Sequence, residues 1–444
     1  MITQQKKGNI VITICYIGLL CSSLLSRVKF NYFSSSSLSI HYLLLPLFST
    51  ILILSDLNTL KEFCIIHKKV LVAIGLLYIW IWICTFFSNF PTTALTYTLK
   101  YSTYFFIFIA FLRLNFTQQK NIKYYCLTLL VLIQFIAILG WVEIVFPKMW
   151  MFRLLKYPSF HPQIGSIMQN PNQFGVLMAI GASLTLILYQ KKIISTIYLY
   201  ISEVLLVISI AISTSRNAWL VFILGLVLLM QTKIINRIKF ILLSLLLIFC
   251  ILLYPAANYK LGLVNNNIFP SFELLNQNFT NNNFLEAKIA NPQTTINLVN
   301  QNTSHPSSIE TEISNPKTTA LSRLALWKAA IIEMTKQPIT GIGLGVFAEH
   351  IGREVFGVKG FHAHNIFLNI GTELGIPGLL IFIGFLLKIA SDLKPSNFVT
   401  VLILLFLASQ MLDFFIEDYA FTTIELYFLS LAVISETKVE PTLK

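Results

Sequence analysis

Two arginines in largely apolar surroundings are suited to binding a phosphate-bearing ligand. Arg216 follows the small polar residues 213–215 at the start of an apolar run, and Arg323 lies on a segment of good helix formers. A guanidinium stays charged at any working pH and holds phosphate oxygens bidentately, so the pair could grip a diphosphate. The alternatives are an arginine that reaches lipid headgroups from a helix end and a solvated charge on an amphipathic helix.

His364 is a candidate general base for the same site. It stands directly before an apolar run, so the positive end of a helix dipole would favour its neutral imidazole. A neutral imidazole can take a proton from a hydroxyl group. The other interpretations are a helix cap, an interfacial histidine or, together with His362, a pair of metal ligands.

Neighbouring polar residues and glycines could contact a substrate or only shape the backbone. The Asn-Pro-Asn motif at 170–172 most simply caps a helix, although its amides could also bind sugar hydroxyls. The glycine-rich turn 341–345 follows no strand, so close backbone packing fits it better than nucleotide binding. Trp327 shares one helix face with Arg323, four residues earlier. The candidate substrate-binding residues are Asn170, Asn172, Trp327, Gly343, His362 and Asn365.

The elements that must position these residues are membrane helices. Of the 444 residues, 56% are apolar and 11% are charged, which excludes an ordinary soluble domain. Uncharged runs recur at the length that a helix needs to cross about 30 Å of hydrocarbon. We predict an all-α polytopic membrane protein with about twelve spans, at 10–25, 38–55, 70–88, 97–113, 124–145, 172–189, 193–212, 217–231, 237–254, 365–387, 397–412 and 420–434.

The distribution of basic residues predicts the orientation of these spans. With the N-terminus inside, the inner segments hold seventeen Lys and Arg residues and the short outer connections hold seven. Both termini are then cytoplasmic, and 255–364 forms a large extracytoplasmic loop with an amphipathic helix at 321–336. The net charge of +13 therefore reflects membrane orientation and not nucleic-acid binding.

Composition divides the chain into four parts. Residues 1–150 hold N-terminal membrane helices, 151–254 central membrane helices, 255–364 the outer loop and 365–444 C-terminal membrane helices. The first part of the loop, 255–320, is rich in asparagine and carries no pattern that predicts chemistry. Patterns of serine hydrolases, zinc proteases and P-loop nucleotidases do not occur in the sequence.

Four segments together resemble the superfamily of bacterial O-antigen ligases and O-antigen polymerases. They are TSRNAWL at 214–220, SRLALWKAA at 322–330, QPITGIGLGVF at 337–347 and HAHNIFLNIGTELGIPGLL at 362–380, with QNPNQFG at 169–175 as a weaker match. The resemblance implies a glycosyltransferase of the inner (plasma) membrane that moves a glycan from undecaprenyl diphosphate to an acceptor hydroxyl, inverting and without metal or cofactor. The acceptor would be lipid A-core or a growing glycan.

The resemblance also implies roles for individual residues and leaves alternatives open. Arg216 and Arg323 would bind the lipid-linked diphosphate, and His364 would act as base or orient the acceptor. Ligase and polymerase are not distinguished, and protein O-glycosylation differs only in its acceptor. Transport of a small anion such as bicarbonate is an alternative of another class, because carboxylates fall in or near the predicted spans.

Overall fold

The protein is almost entirely helical in the part that the structure describes. This computed structural model describes residues 2–24, 41–55, 60–145, 166, 168, 170–253, 316–356, 360–391, 398–414 and 418–434. No strand occurs within these ranges, in agreement with the predicted all-α class. Most of the asparagine-rich stretch 255–320 and of the connection 146–171 lies outside them.

Fifteen α-helices form the described part, numbered here in chain order. They are α1 Ile2–Leu24, α2 His41–Leu54, α3 Leu60–Ile66, α4 Lys68–Phe86, α5 Pro91–Thr117, α6 Ile122–Val145, α7 Pro171–Gln190, α8 Thr196–Ile212, α9 Arg216–Gln231, α10 Arg237–Leu253, α11 Pro316–Lys336, α12 Gly352–Phe356, α13 Ile366–Ser391, α14 Phe398–Leu412 and α15 Tyr419–Ile434. A 3₁₀ turn, Gln119–Asn121, precedes α6, and a π-helix, Phe347–Ile351, precedes α12.

The helices agree with the predicted membrane segments. Each of the twelve predicted spans overlaps one helix, and α11 ends at Lys336, directly before the predicted stop at Gln337-Pro338. Five helical stretches, in α4, α5, α6, α7 and α13, are long and apolar enough to cross a membrane, and shorter apolar helices accompany them. The protein is a multi-pass membrane protein. The count of twelve spans and the outer position of the long loop remain predictions.

Helix α7 lies at the centre of the bundle. In its apolar window 89% of the residues are buried inside the protein, compared with 28% for α4. Gly175 brings it close to the α8–α9 turn, because a Cβ at this position would clash with Ser213 and lie 2.7 Å from Ala218 Cβ. The start of α7 is therefore fixed against the start of α9.

Helix α13 is broken, in contrast to the single continuous span predicted at 365–387. Gly375 has φ 70° and ψ −179°, a conformation that only glycine adopts readily. The break leaves a short half-helix, Ile366 to Leu374, which carries the candidate base His364 at its N-terminal end. The sequence signal for this break was the Gly-Ile-Pro at 375–377, which the apolar run obscured.

The glycine-rich turn 341–345 fills the break in α13. Ile342 N–H donates to Thr372 O at 3.0 Å, and Gly343 N–H donates to Glu373 O at 2.9 Å. These bonds satisfy carbonyls at the end of the half-helix, which have no partner within a broken helix. The close backbone packing predicted for this turn is confirmed.

Replacing Gly375 with alanine is expected to destabilise the protein by about 2 kcal/mol or more, because alanine is strained at positive φ. Its Cβ would also lie 2.8 Å from the carbonyl oxygen of Pro338. The matched control is Gly384→Ala in the second half of α13, where no atom lies within 4 Å of the added Cβ. Thermal unfolding in detergent measures both variants. Equal midpoints for the two would contradict the prediction.

Candidate functional site

The candidate site lies where the ends of four helices meet. His364 precedes α13, Asp413 follows α14, Asn172 is the second residue of α7 and Arg216 is the first residue of α9. We call this end of the bundle the site end. It is built by helices that are distant in the sequence, so its geometry depends on how the bundle packs.

A short contact between His364 and Asp413 forms the centre of the site. The distance from His364 Nδ1 to Asp413 Oδ1 is 2.6 Å. The Asp413 side chain is 4% exposed and the His364 side chain 26% exposed, so the imidazole lies on the open side of the pair. With Nδ1–H donating to the carboxylate, the second ring nitrogen, Nε2, is the one that can accept a proton.

Several further groups stabilise the carboxylate of Asp413. Asn172 Nδ2 donates to Oδ2 at 3.0 Å, and the Phe414 N–H donates to Oδ1 at 2.9 Å. Burial raises the pKa of Asp413, but the charge and hydrogen bond of His364, the charge of Arg323 and the Phe414 bond lower it below the usual 3.8. Asp413 is therefore ionised at neutral pH, and its contribution to stability is lost only as the pH falls below about 4.

Arg323 approaches this carboxylate from α11. Its charge acts on Asp413, as the lowered pKa of that carboxyl indicates. The side chain is half-buried, and its Nε is buried without a hydrogen-bond partner among the described residues. A buried N–H without a partner costs free energy unless a ligand or water completes it. Arg323 thus keeps a donor without a described partner, close enough to Asp413 for its charge to act on that carboxylate.

Arg216 is exposed at the first position of α9. Ser215 caps this helix through its side-chain oxygen, so the guanidinium stands at a helix N-terminus, where the dipole favours anions. The neighbouring Asn217 donates to Ser409 O of α14 at 3.4 Å, one turn before Asp413. Arg216 therefore lies at the site end, although it contacts neither His364 nor Asp413 in a described hydrogen bond.

The asparagines predicted to bind substrate have structural partners. Asn170 caps α7 by accepting from the Asn172 N–H at 2.8 Å, which confirms the predicted cap. Asn172 uses its amide on Asp413. Asn365 caps α13 by accepting from the Phe367 N–H at 3.0 Å. Two of these three residues shape helix starts, and the third supports the carboxylate.

The remaining candidate residues, Trp327, His362 and Gly343, also have contacts within the protein. Trp327 Nε1 donates to Ala363 O at 2.8 Å, and the His362 ring lies 4.9 Å from the Phe414 ring. Gly343, with φ 102°, belongs to the turn that fills the break in α13. His362 and His364 face different neighbours, and within the described ranges no three His, Cys, Asp or Glu residues are grouped as metal ligands.

Comparison with known families identifies the segment that carries most of these residues. The family model described as O-antigen ligase matches residues 201–383. The match covers less than half of the chain and supports membership of the O-antigen ligase superfamily. No curated protein gives a significant match. The match supports a glycosyl-transfer role in polysaccharide assembly, with a lipid bilayer and glycan substrates as partners.

The matched segment contains Arg216, Arg323 and His364 but not Asp413. Sequence reasoning missed Asp413, which lies 49 residues after His364 at the end of an apolar run. A carboxylate at the edge of a membrane segment is costly and is a signal of function. That signal was present in the sequence, but its partner was visible only after folding.

An apolar cavity lies between the helices next to the site end. Its volume is about 140 Å³, and α4, α5, α13, α14 and α15 contribute to its walls. Phe414, adjacent to Asp413, lines one part, and Tyr104, Phe105 and Phe108 line another. The site therefore joins a polar, partly open end to an apolar space between helices.

Proposed function

We propose that the protein transfers a glycan from undecaprenyl diphosphate to an acceptor hydroxyl, as a ligase or a polymerase of surface polysaccharide. The observation that carries the proposal is the contact of His364 with the buried carboxylate of Asp413, with Arg323 beside it. The reaction takes place on the outer side of the bacterial inner membrane, with inversion at the sugar.

His364 acts as the general base in this proposal. Asp413 accepts the Nδ1–H and holds the ring, so Nε2 faces the acceptor hydroxyl. The acceptor oxygen attacks the anomeric carbon on the face opposite the diphosphate. The bond from that carbon to the phosphate oxygen breaks, its electron pair leaves with the diphosphate, and the hydroxyl proton moves to His364.

The arginines stabilise the leaving group. Glycoside hydrolysis commonly needs a carboxylic acid that protonates a poor alkoxide leaving group, whereas a diphosphate leaves as an anion. Arg323 has unused donor capacity beside the base, and Arg216 adds charge at a helix N-terminus. Fixed cations in a water-poor site stabilise developing negative charge strongly, so this mechanism requires no metal.

The apolar cavity supports a donor with a hydrocarbon chain. It runs between membrane helices, and its wall reaches Phe414 beside the catalytic carboxylate. A polyprenyl chain placed there and in the adjoining bilayer would leave its diphosphate at the site end.

The purified protein in proteoliposomes should consume lipid-linked glycan extracted from the membranes of its source organism. We expect new glycan attached to the acceptor extract and release of undecaprenyl diphosphate, both detected by mass spectrometry. A single attached chain indicates a ligase, longer repeats indicate a polymerase, and glycopeptides indicate a protein acceptor. Unchanged donor together with uptake of labelled bicarbonate into the vesicles would overturn the proposal in favour of anion transport.

A further inference from the structure

His364 has a left-handed backbone conformation. Its φ is 48°, a value that residues other than glycine adopt uncommonly and at a cost of about 1–3 kcal/mol. Such a conformation persists only where neighbouring groups enforce it. The contacts of the residues just before His364 therefore bear on how the imidazole reaches Asp413.

The preceding residue, Ala363, is held on both sides. Its carbonyl oxygen accepts a hydrogen bond from Trp327 Nε1 at 2.8 Å, and its N–H donates to Asn369 Oδ1 at 3.3 Å. Ala363 and Asn369 are both fully buried, so neither bond competes with solvent. Trp327 belongs to α11 and Asn369 to the half-helix of α13, so two elements fix one residue.

We propose that Trp327 and Asn369 are positioning residues, which clamp Ala363 from both sides and thereby hold His364 in the backbone conformation that brings its imidazole to Asp413. The inference rests on the proposed function. In this inference Trp327 does not contact the substrate, as the sequence suggested, but fixes the backbone that carries His364. It also adds Asn369, for which the sequence pattern suggested no role.

The two hydrogen bonds to Ala363, from Trp327 and to Asn369, are called the clamp here. The clamp affects the chemical step more than it affects binding of the donor. A general base must lie within hydrogen-bond reach of the proton it removes, and a displacement of about 1 Å lowers a rate by up to about a hundredfold. The groups that bind diphosphate in the proposed function, on Arg216 and Arg323, are not held by Ala363. Loss of the clamp therefore lowers kcat and leaves the KM for the donor nearly unchanged.

Two variants remove one clamp bond each with little change of shape. Trp327→Phe removes the indole N–H and keeps an aromatic ring, and Asn369→Leu removes the acceptor oxygen. We expect kcat with the extracted lipid-linked glycan to fall on the order of tenfold to a hundredfold in each. The KM for this donor should stay close to that of the wild type.

Asn369→Asp is the conservative variant for rescue. It keeps an acceptor oxygen for the Ala363 N–H, because a carboxyl group retains a carbonyl oxygen in the protonated form that full burial favours. The amide Nδ2 of Asn369 has no hydrogen-bond partner among the described residues, so its loss removes no bond described there. We expect kcat of Asn369→Asp to lie well above that of Asn369→Leu.

Thr372→Val is the matched control for a merely structural effect. The Thr372 hydroxyl donates to Ala330 O at 3.0 Å and thus joins the same two helices, α13 and α11, without contacting Ala363. The control should retain near-wild-type kcat even where its thermal midpoint falls. Equal losses of kcat in Thr372→Val and Trp327→Phe would overturn the clamp.

Two other results also discriminate. A raised donor KM with unchanged kcat in Trp327→Phe would indicate direct substrate contact and would overturn the clamp as well. His364→Ala is measured in the same series to separate the two levels of the argument. Full activity in His364→Ala would refute the proposed function, whereas loss in His364→Ala with full activity in both clamp variants would refute only the clamp.

Discussion

Replacing His364 with alanine is expected to lower the rate of glycan transfer by about two to four orders of magnitude, the usual contribution of a general base. The imidazole lies on the open side of a 2.6 Å contact with Asp413, and no other histidine contacts that carboxylate in a described bond. Initial rates of the purified protein in proteoliposomes, with extracted lipid-linked glycan as donor, measure the effect.

His364→Asn separates loss of the base from backbone strain. Alanine at φ 48° is strained, whereas asparagine occupies the left-handed region more readily and so keeps the loop geometry. Both variants lack a base, so both should lose activity to a similar extent. Near-normal rates in His364→Asn would show that the residue matters for the shape of the loop and not for proton transfer.

The helical framework could be predicted from the sequence because it follows from local patterns. Each of the twelve apolar runs overlaps one of the fifteen described helices, and the motif at 170–172 predicted the cap of α7. The stop of α11 at Lys336 followed from the proline two residues later. In each case the signal and the structure that it specifies lie within a few residues of one another.

The centre of the site could not be predicted in this way because its pairs are long-range. His364 and Asp413 meet only when α13 and α14 pack, and Asn172 reaches the same carboxylate from a third helix. The break at Gly375 was hidden by the apolar residues on both sides of it. The broken helix is stabilised by the turn 341–345, which lies more than thirty residues earlier in the chain. The turn binds it through backbone hydrogen bonds, and these leave no pattern in the side chains of the sequence.

Replacing Arg323 with alanine is expected to lower kcat by about a hundredfold to a thousandfold. This is the usual loss when one preorganised hydrogen-bond donor is removed from a site that stabilises developing negative charge. The leaving diphosphate gains charge as its bond to the sugar breaks, so the arginine contributes more in the transition state than in the bound donor. Kinetics in proteoliposomes measure the loss, and Lys328→Ala, an exposed residue on the same helix, is the matched control.

Arg323 also acts on Asp413, so the variant must separate support of that carboxylate from binding of the diphosphate. Arg323→Lys retains the charge that Asp413 experiences but loses the planar, bidentate geometry suited to phosphate. If the arginine served Asp413 alone, lysine would restore kcat fully. Because we infer that it binds the leaving group, lysine should restore only part of the rate, and thermal unfolding should show both variants folded. Full restoration by lysine would contradict this role.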